Sequence, residues 1–147
     1  MNDPVDAGAI VLDTNVVSEP LRPAPNEHVL AHLREASSRT FITTVTLAEL
    51  FLGANQLDRG RRRQSLLENI AAVRDVYAQR TLTFTAAAAE HYGQSVAALK
   101  RAGVAMSVAD AFIAAICVTS DAALWTRNSK DFVHYPGLTV MDPWSEG

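Results

Sequence analysis

The sequence predicts a single α/β domain, a three-layer sandwich with helices on both sides of a mainly parallel β-sheet. Three observations predict it. Short apolar or β-branched runs alternate with helical stretches, the pattern of strand–helix–strand units joined by right-handed crossovers. The chain has 147 residues, one domain's worth and enough to bury a core without disulfide or metal support. Its 48% hydrophobic and 20% charged content are those of an ordinary globular protein.

Taken in order, residues 1–8 contain Asp3, Pro4 and Asp6, are wrong for a signal peptide, and read as a disordered leader. The domain occupies 9–147. Ala9-Ile10-Val11-Leu12 is a short continuous apolar run, the mark of a strand buried on both faces. Pro20, Pro23 and Pro25 break the next stretch of chain into a turn and a loop. Asn26 caps a helix over 27–36. Residues 40–44, Thr-Phe-Ile-Thr-Thr, are β-branched and aromatic and form a second strand, followed by a helix from 46 to about 57. Gly60 precedes a long amphipathic helix over roughly 61–79, with Leu66, Leu67, Ile70, Val73 and Tyr77 as its apolar stripe. A third strand covers 81–84. Thr85 caps a helix to about 102, which Gly103 ends. Ser107 opens a helix over 108–119 that is apolar nearly all round and therefore buried. Residues 123–126 form a fourth strand, and 138–141 a fifth after the Pro136-Gly137 turn.

Composition excludes several classes of function. No apolar run approaches the roughly 18 residues of a membrane span. Cys117 is the one cysteine. Set in apolar surroundings, it reads as a small buried hydrophobe, and it leaves no disulfide framework or Cys-rich zinc site. A reducing, cytoplasmic compartment is the expectation. A net charge of −3 argues against clamping nucleic acid by bulk positive charge. It permits an acidic centre masked by metal and flanked by local basic patches. His28 and His32 have helical metal spacing but lack the Glu of a metalloprotease motif, so they read as surface residues. Gly93-Gln94-Ser95-Val96-Ala97 lacks the final glycine of a nucleophile elbow and sits inside a helix. No glycine-rich phosphate loop is present.

The chemistry lies in the acids. Asp13, in Asp13-Thr14-Asn15, stands at the carboxyl end of the first strand, where open α/β sheets place their ligands. A carboxylate there needs a counter-charge, and no Lys or Arg is near it in sequence. Glu49 follows the second strand, Asp110 begins the buried helix, and Asp131 follows the fourth strand, so these can gather on the same rim. Thr46-x-x-Glu49 and Ser107-x-x-Asp110 also fit helix capping boxes, and Asn128-x-x-Asp131 resembles one. Capping is the commoner use of each pattern alone; Asp13 stands outside any such pattern. Four converging acids repel one another, and a hard divalent cation relieves the repulsion. Oxygen-only donors favour Mg²⁺, with Mn²⁺ as substitute, over zinc. Such a centre suits phosphodiester hydrolysis by metal-activated water. Arg127 and Lys130 lie beside it as candidate contacts for a nucleic-acid backbone. The arginine run Arg59, Arg61, Arg62, Arg63 reads as a solvated helix start or as a patch for RNA phosphate or an acidic partner.

Five segments in order carry a family resemblance: Leu12-Asp13-Thr14-Asn15-Val16-Val17-Ser18-Glu19; Thr43-Thr44-Val45-Thr46-Leu47-Ala48-Glu49-Leu50 with Gly53; Ser107-Val108-Ala109-Asp110 with Ile113-Ala114-Ala115; Thr126-Arg127-Asn128-Ser129-Lys130-Asp131-Phe132; and Pro143-Trp144. Together they resemble PIN-domain ribonucleases, above all the VapC and FitB-like toxins of type II toxin–antitoxin modules. The resemblance implies a Mg²⁺-dependent endoribonuclease, held in check by a small DNA-binding antitoxin and assembling as a homodimer. It implies Asp13, Glu49 and Asp110 as the acidic catalytic site, with Asp13 and Asp110 on the metal, and Asp131 joins them as a catalytic candidate by its position after the fourth strand. Thr14, Asn15, Thr126 and Asn128 would support those acids or orient water. Relatives often carry an acid where Asn128 stands, so Asn128, Asp131 or both complete the site. A catalytically silent PIN-like module binding RNA or protein is the alternative. A phosphoacceptor receiver domain is rejected, because no acid follows the third strand.

Overall fold

The structure is a computed structural model that describes residues 8–145. Nearly all of the expected leader, residues 1–7, lies outside the described residues. Gly8 is described, and its carbonyl accepts a hydrogen bond from Arg39 at 3.0 Å.

Among the described residues there are five strands and six α-helices: β1 (Ala9–Leu12), α1 (Thr14–Ser18), α2 (Glu27–Glu35), β2 (Thr40–Thr43), α3 (Thr44–Asn55), α4 (Arg61–Val76), β3 (Thr81–Leu82), α5 (Ala86–Arg101), α6 (Val108–Thr119), β4 (Ala122–Trp125) and β5 (Val140–Met141). The strand order is β3-β2-β1-β4-β5, and every pairing is parallel. Parallel neighbours require long crossovers, and the helices supply them. β1 lies at the centre, with Leu12 in register with Trp125 of β4. The chain winds one way through β2 and β3 and the other way through β4 and β5. The carboxyl ends of β1 and β4 therefore flank the topological switch point, where such sheets bind ligands.

Alternation along the strands feeds two cores. Val11 and Leu124 join Leu99, Ile113 and Ile116 of α5 and α6 on one face. Ile10, Leu12, Ile42 and Trp125 join Val16, Val29, Leu50 and Ile70 of α1–α4 on the other. This is the expected three-layer sandwich. Cys117 is fully buried, and burial pushes its thiol far up. Gly103 ends α5 with φ +76, the left-handed conformation in which glycine avoids Cβ strain.

Several boundaries differ from the sequence expectation. A one-turn helix, α1, replaces the turn after β1. Pro20 lies beyond it in a short 3-10 segment, at a position whose missing N–H needs no partner. β2 ends at Thr43 and α3 starts at Thr44, two residues early, because Thr43 is the cap: its Oγ1 accepts the Thr46 N–H at 3.1 Å. α4 stops at Val76, short of 79, and Tyr77 accepts the Thr81 hydroxyl through its carbonyl at 2.7 Å. β3 keeps two of the four expected residues, and Phe84 packs as an aromatic cluster with Phe112, ring centroids 4.4 Å apart, and Tyr92. β4 is shifted back one residue, leaving Thr126 just past the strand, and β5 keeps Val140–Met141.

Thr43 is fully buried and caps α3. Thr43→Ala is expected to destabilise the protein by about 1–2 kcal/mol, the worth of a strong N-cap. Urea denaturation followed by circular dichroism measures it; an unchanged midpoint would contradict the cap.

Candidate active site

Asp13 is placed by β1 and held by its neighbours. Its backbone N–H donates to the Trp125 carbonyl at 2.9 Å, continuing the β1–β4 ladder by one rung. Its side chain is 5% exposed. Oδ1 accepts the Thr14 N–H at 2.8 Å, and Oδ2 accepts the Thr126 hydroxyl at 2.7 Å. Thr126 is fully buried, and its Oγ1 also accepts the Asn128 N–H at 3.1 Å. A second tie runs alongside, from the Arg127 N–H to Asn15 Oδ1 at 3.1 Å. The residues after β1 and those after β4 thus form one hydrogen-bonded unit. Burial raises the Asp13 pKa above the usual carboxylate range, against the opposing hydrogen bonds from Thr126 and Thr14.

Glu49 reaches the same rim from α3. It is exposed, and its Oε1 accepts the Thr14 hydroxyl at 2.8 Å. Asp110 comes from the first turn of α6 and is half-buried. Its pKa is also raised, first by burial and then by the charges of Asp13, Glu49 and Asp131, while the Ser107 hydroxyl opposes the shift. All three other acids act on Asp110, so the four share one electrostatic field. Neither of the two ion pairs among the described residues, Arg22–Glu19 and Arg74–Asp75, involves any of them.

Two capping expectations are corrected. Asp13 is itself an N-cap, through the Thr14 N–H, because the chain after β1 turns directly into α1. Glu49 is no capping-box partner of Thr46, since Thr43 caps α3. Asp110 does retain its cap, with its N–H on Ser107 Oγ at 3.1 Å. Asn128 makes no side-chain cap bond and contributes its backbone N–H to Thr126. Asp131 lies in an exposed 3-10 turn, Ser129–Asp131, together with Lys130. The Arg127 guanidinium sits 5.0 Å over the Trp144 ring, an attractive cation–π contact.

One buried acid escaped the sequence reading. Glu19 is 3% exposed. It accepts the Asn26 N–H at 2.8 Å and lies 3.4 Å from Arg22, fixing the proline loop between α1 and α2. An acid directly after Val16-Val17-Ser18 and before Pro20 was the available signal.

The donor set is carboxylate oxygen throughout, the choice of a hard divalent cation. Asp13 and Asp110 are the acids whose charged forms most need one. Among the described residues no group of three or more His, Cys, Asp or Glu side chains is already arranged to hold a metal ion.

The fold and this rim define a class: the chain belongs to the PIN domain family, whose profile matches residues 10–138. Among individual relatives, it is 39% identical over 137 residues to the plasmid stability protein StbB of Pseudomonas syringae pv. tomato, covering 92% of this chain and 98% of that one. It is 34% identical over 139 residues to the VapC ribonuclease Y4jK of Sinorhizobium fredii, covering 92% and 97%. The crystal structure of FitAcB from Neisseria gonorrhoeae superposes with a TM-score of 0.85 at 35% identity, over 92% of this chain and 99% of that chain.

A carboxylate whose folded pKa is raised binds its proton more readily folded than unfolded, so stability falls as pH rises through the window between the unfolded and folded values and stays lowered above it. For Asp110 that window begins at the ordinary aspartate value of 3.8 and extends upward. In EDTA at pH 7, Asp110→Asn is therefore expected to melt above wild type, with the gain shrinking as pH falls toward that value. A gain independent of pH, or none, would contradict the shared field.

Proposed function

We propose that this protein is a metal-dependent endoribonuclease toxin of a type II toxin–antitoxin system. The observation that carries the reading is the rim itself: a buried Asp13 and a half-buried Asp110, the latter under the charges of Asp13, Glu49 and Asp131, with no cationic side chain paired to any of the four among the described residues. Relatives named VapC ribonuclease and toxin FitB support it. Asp13 and Asp110 would hold Mg²⁺ or Mn²⁺, with Glu49 and Asp131 completing the acidic set. When bound, the ion supplies hydroxide from water near neutral pH and neutralises charge on the scissile phosphate.

The chain's own residues do the rest. Thr126 fixes the rotamer of Asp13 through a single hydrogen bond to Oδ2, so each carboxylate oxygen keeps acceptor capacity for a metal ion. Thr14 holds Glu49 within reach of the same phosphate, and Asn15 anchors the loop that carries Arg127. Arg127, kept in place by Trp144, and Lys130 offer positive charge to the RNA backbone. A small antitoxin is the expected regulator, with a homodimer as the assembly and the cytoplasm as the compartment. No helix among the described residues is long and apolar enough to cross a membrane. The silent-module reading rests on Asn128, a neutral side chain with no hydrogen bond among the described residues.

Purified protein is expected to cut single-stranded or structured RNA with Mg²⁺ or Mn²⁺ and to stop in EDTA. Asp13→Asn should abolish cleavage, and survival of cleavage in that variant would sink the assignment. Thr126→Val keeps the shape but removes the Asp13 hydrogen bond, and should weaken metal-dependent activity about 10–100-fold. Metal binding by calorimetry with no cleavage of any RNA pool would select the silent module.

A further inference from the structure

The loop after β4 carries an aromatic–cation pair beside the acidic centre. Arg127 follows Thr126, the residue whose hydroxyl holds Asp13, and its backbone N–H is fixed by Asn15 Oδ1 at 3.1 Å. It therefore stands one residue from the rim on an anchored stretch of backbone. Its guanidinium carbon lies 5.0 Å over the Trp144 ring. Trp144 is itself set in place: it packs against the core that holds Leu12 and Trp125, and its backbone N–H donates to Asp142 Oδ1 at 2.8 Å. A second such pair gives the contrast. Arg80 lies 4.7 Å over the Tyr77 ring, but its guanidinium is engaged with the Ser37 and Thr40 carbonyls, both at 2.7 Å, and serves the fold. The exposed Arg127 guanidinium makes no hydrogen bond or ion pair among the described residues. The contact with Trp144 orders this side chain and leaves its five N–H donors uncommitted.

We propose that the Arg127–Trp144 pair is a stacking platform for an unpaired nucleobase next to the scissile phosphate. The inference rests on the ribonuclease reading, which puts that phosphate at the rim beside Thr126. The chemistry of the pair selects a base over a phosphate as its partner. A phosphate needs charge alone, and the exposed Lys130, a flexible point charge three residues on, supplies it. A guanidinium is planar and weakly hydrated and stacks on aromatic faces, as an ammonium does not. Ordered over an indole, it receives a base with little further loss of side-chain freedom. Stacking also suits a chain of net charge −3, because it adds affinity that does not depend on bulk positive charge. Every base has a π-face, so the platform selects an unpaired nucleotide rather than a sequence. A base inside a duplex is already stacked on its neighbours, and the substrate class is therefore RNA that is single-stranded at the cleaved step.

The test uses two RNA strands of equal length and charge, one carrying bases and one abasic throughout. Binding is read by fluorescence anisotropy in an Asp13→Asn background, so that neither strand is cut. Arg127→Lys keeps the charge and loses the planar group. It should weaken the intact strand about tenfold, the worth of one stacked base, affect the abasic strand far less, and keep the salt dependence of binding. Trp144→Leu should act alike, and Trp144→Phe, which keeps a ring, should restore most of the affinity. Thermal melting checks that the Leu variant is folded; Arg127→Lys, at an exposed position, decides the matter if it is not. With Asp13 intact, Arg127→Lys should raise KM for a single strand rather than lower kcat, the mark of lost uniform binding. Pairing that strand into a duplex should erase the difference between variant and wild type. Equal losses on intact and abasic strands make Arg127 a phosphate contact and overturn the proposal, as does no loss on either. Retained RNA affinity with loss of a co-expressed antitoxin makes the pair a protein site and overturns it too. If wild type cuts no RNA, the ribonuclease reading falls, and the binding arm alone decides the platform: base-dependent loss in Arg127→Lys upholds it, base-independent loss or none overturns it.

Discussion

The hydrogen bond from the Thr126 hydroxyl to Asp13 is the contact on which the site depends. It joins the ends of β1 and β4, the two strands that flank the point where the sheet reverses its winding. Removing water from a carboxylate is expensive, and hydrogen bonds to the charged form offset part of that cost. Thr126 and the Thr14 N–H provide that offset, one to each carboxylate oxygen. The same threonine accepts the Asn128 N–H, so one buried hydroxyl both orients the acid and sets the course of the next loop.

The acids divide between stability and chemistry in an uneven way. Asp13 and Asp110 both contribute to helix N-termini, where negative charge is favoured, yet burial raises both pKa values. Capping a helix and standing as a buried, unpaired acid are therefore compatible states of one carboxylate among the described residues. Glu49 is the contrasting case: a helix-cap pattern in sequence, but a side chain bonded across the rim to Thr14. Glu19 is different again, a buried acid fully occupied with holding a loop. Burial alone does not mark a reactive acid; burial without a cationic partner is the more telling property.

Much of the fold was legible because periodicity and caps agreed. β1, the Asn26 and Thr85 caps, and α6 stand where the residues put them. The misreadings share a physical origin. Thr43, Thr44 and Thr46 all favour a strand by β-branching and a cap by their hydroxyls, and only tertiary packing decided that Thr43 takes the cap. The α1 turn was hidden by three prolines further on, since a five-residue helix has almost no intrinsic signal. The acids were legible as strand-end and helix-start positions. What sequence could not supply was the pairing of residues far apart in the chain: Thr14 with Glu49 and Asn15 with Arg127.

The Asp13–Thr126 contact spans 113 positions of the chain, and that separation has a consequence for biogenesis. β1 is synthesised first but occupies the middle of the sheet, flanked by β2 on one side and, much later, β4 on the other. A growing chain can lay β1 against β2 and β3 while Asp13 still lacks the hydroxyl that fixes it. The acidic centre is then among the last parts of the molecule to take shape, completed when the strand before Thr126 docks along β1. Until the segment carrying Thr126 has docked, Asp13 has the Thr14 N–H alone, so the acidic centre takes its final form only once nearly the whole chain is present.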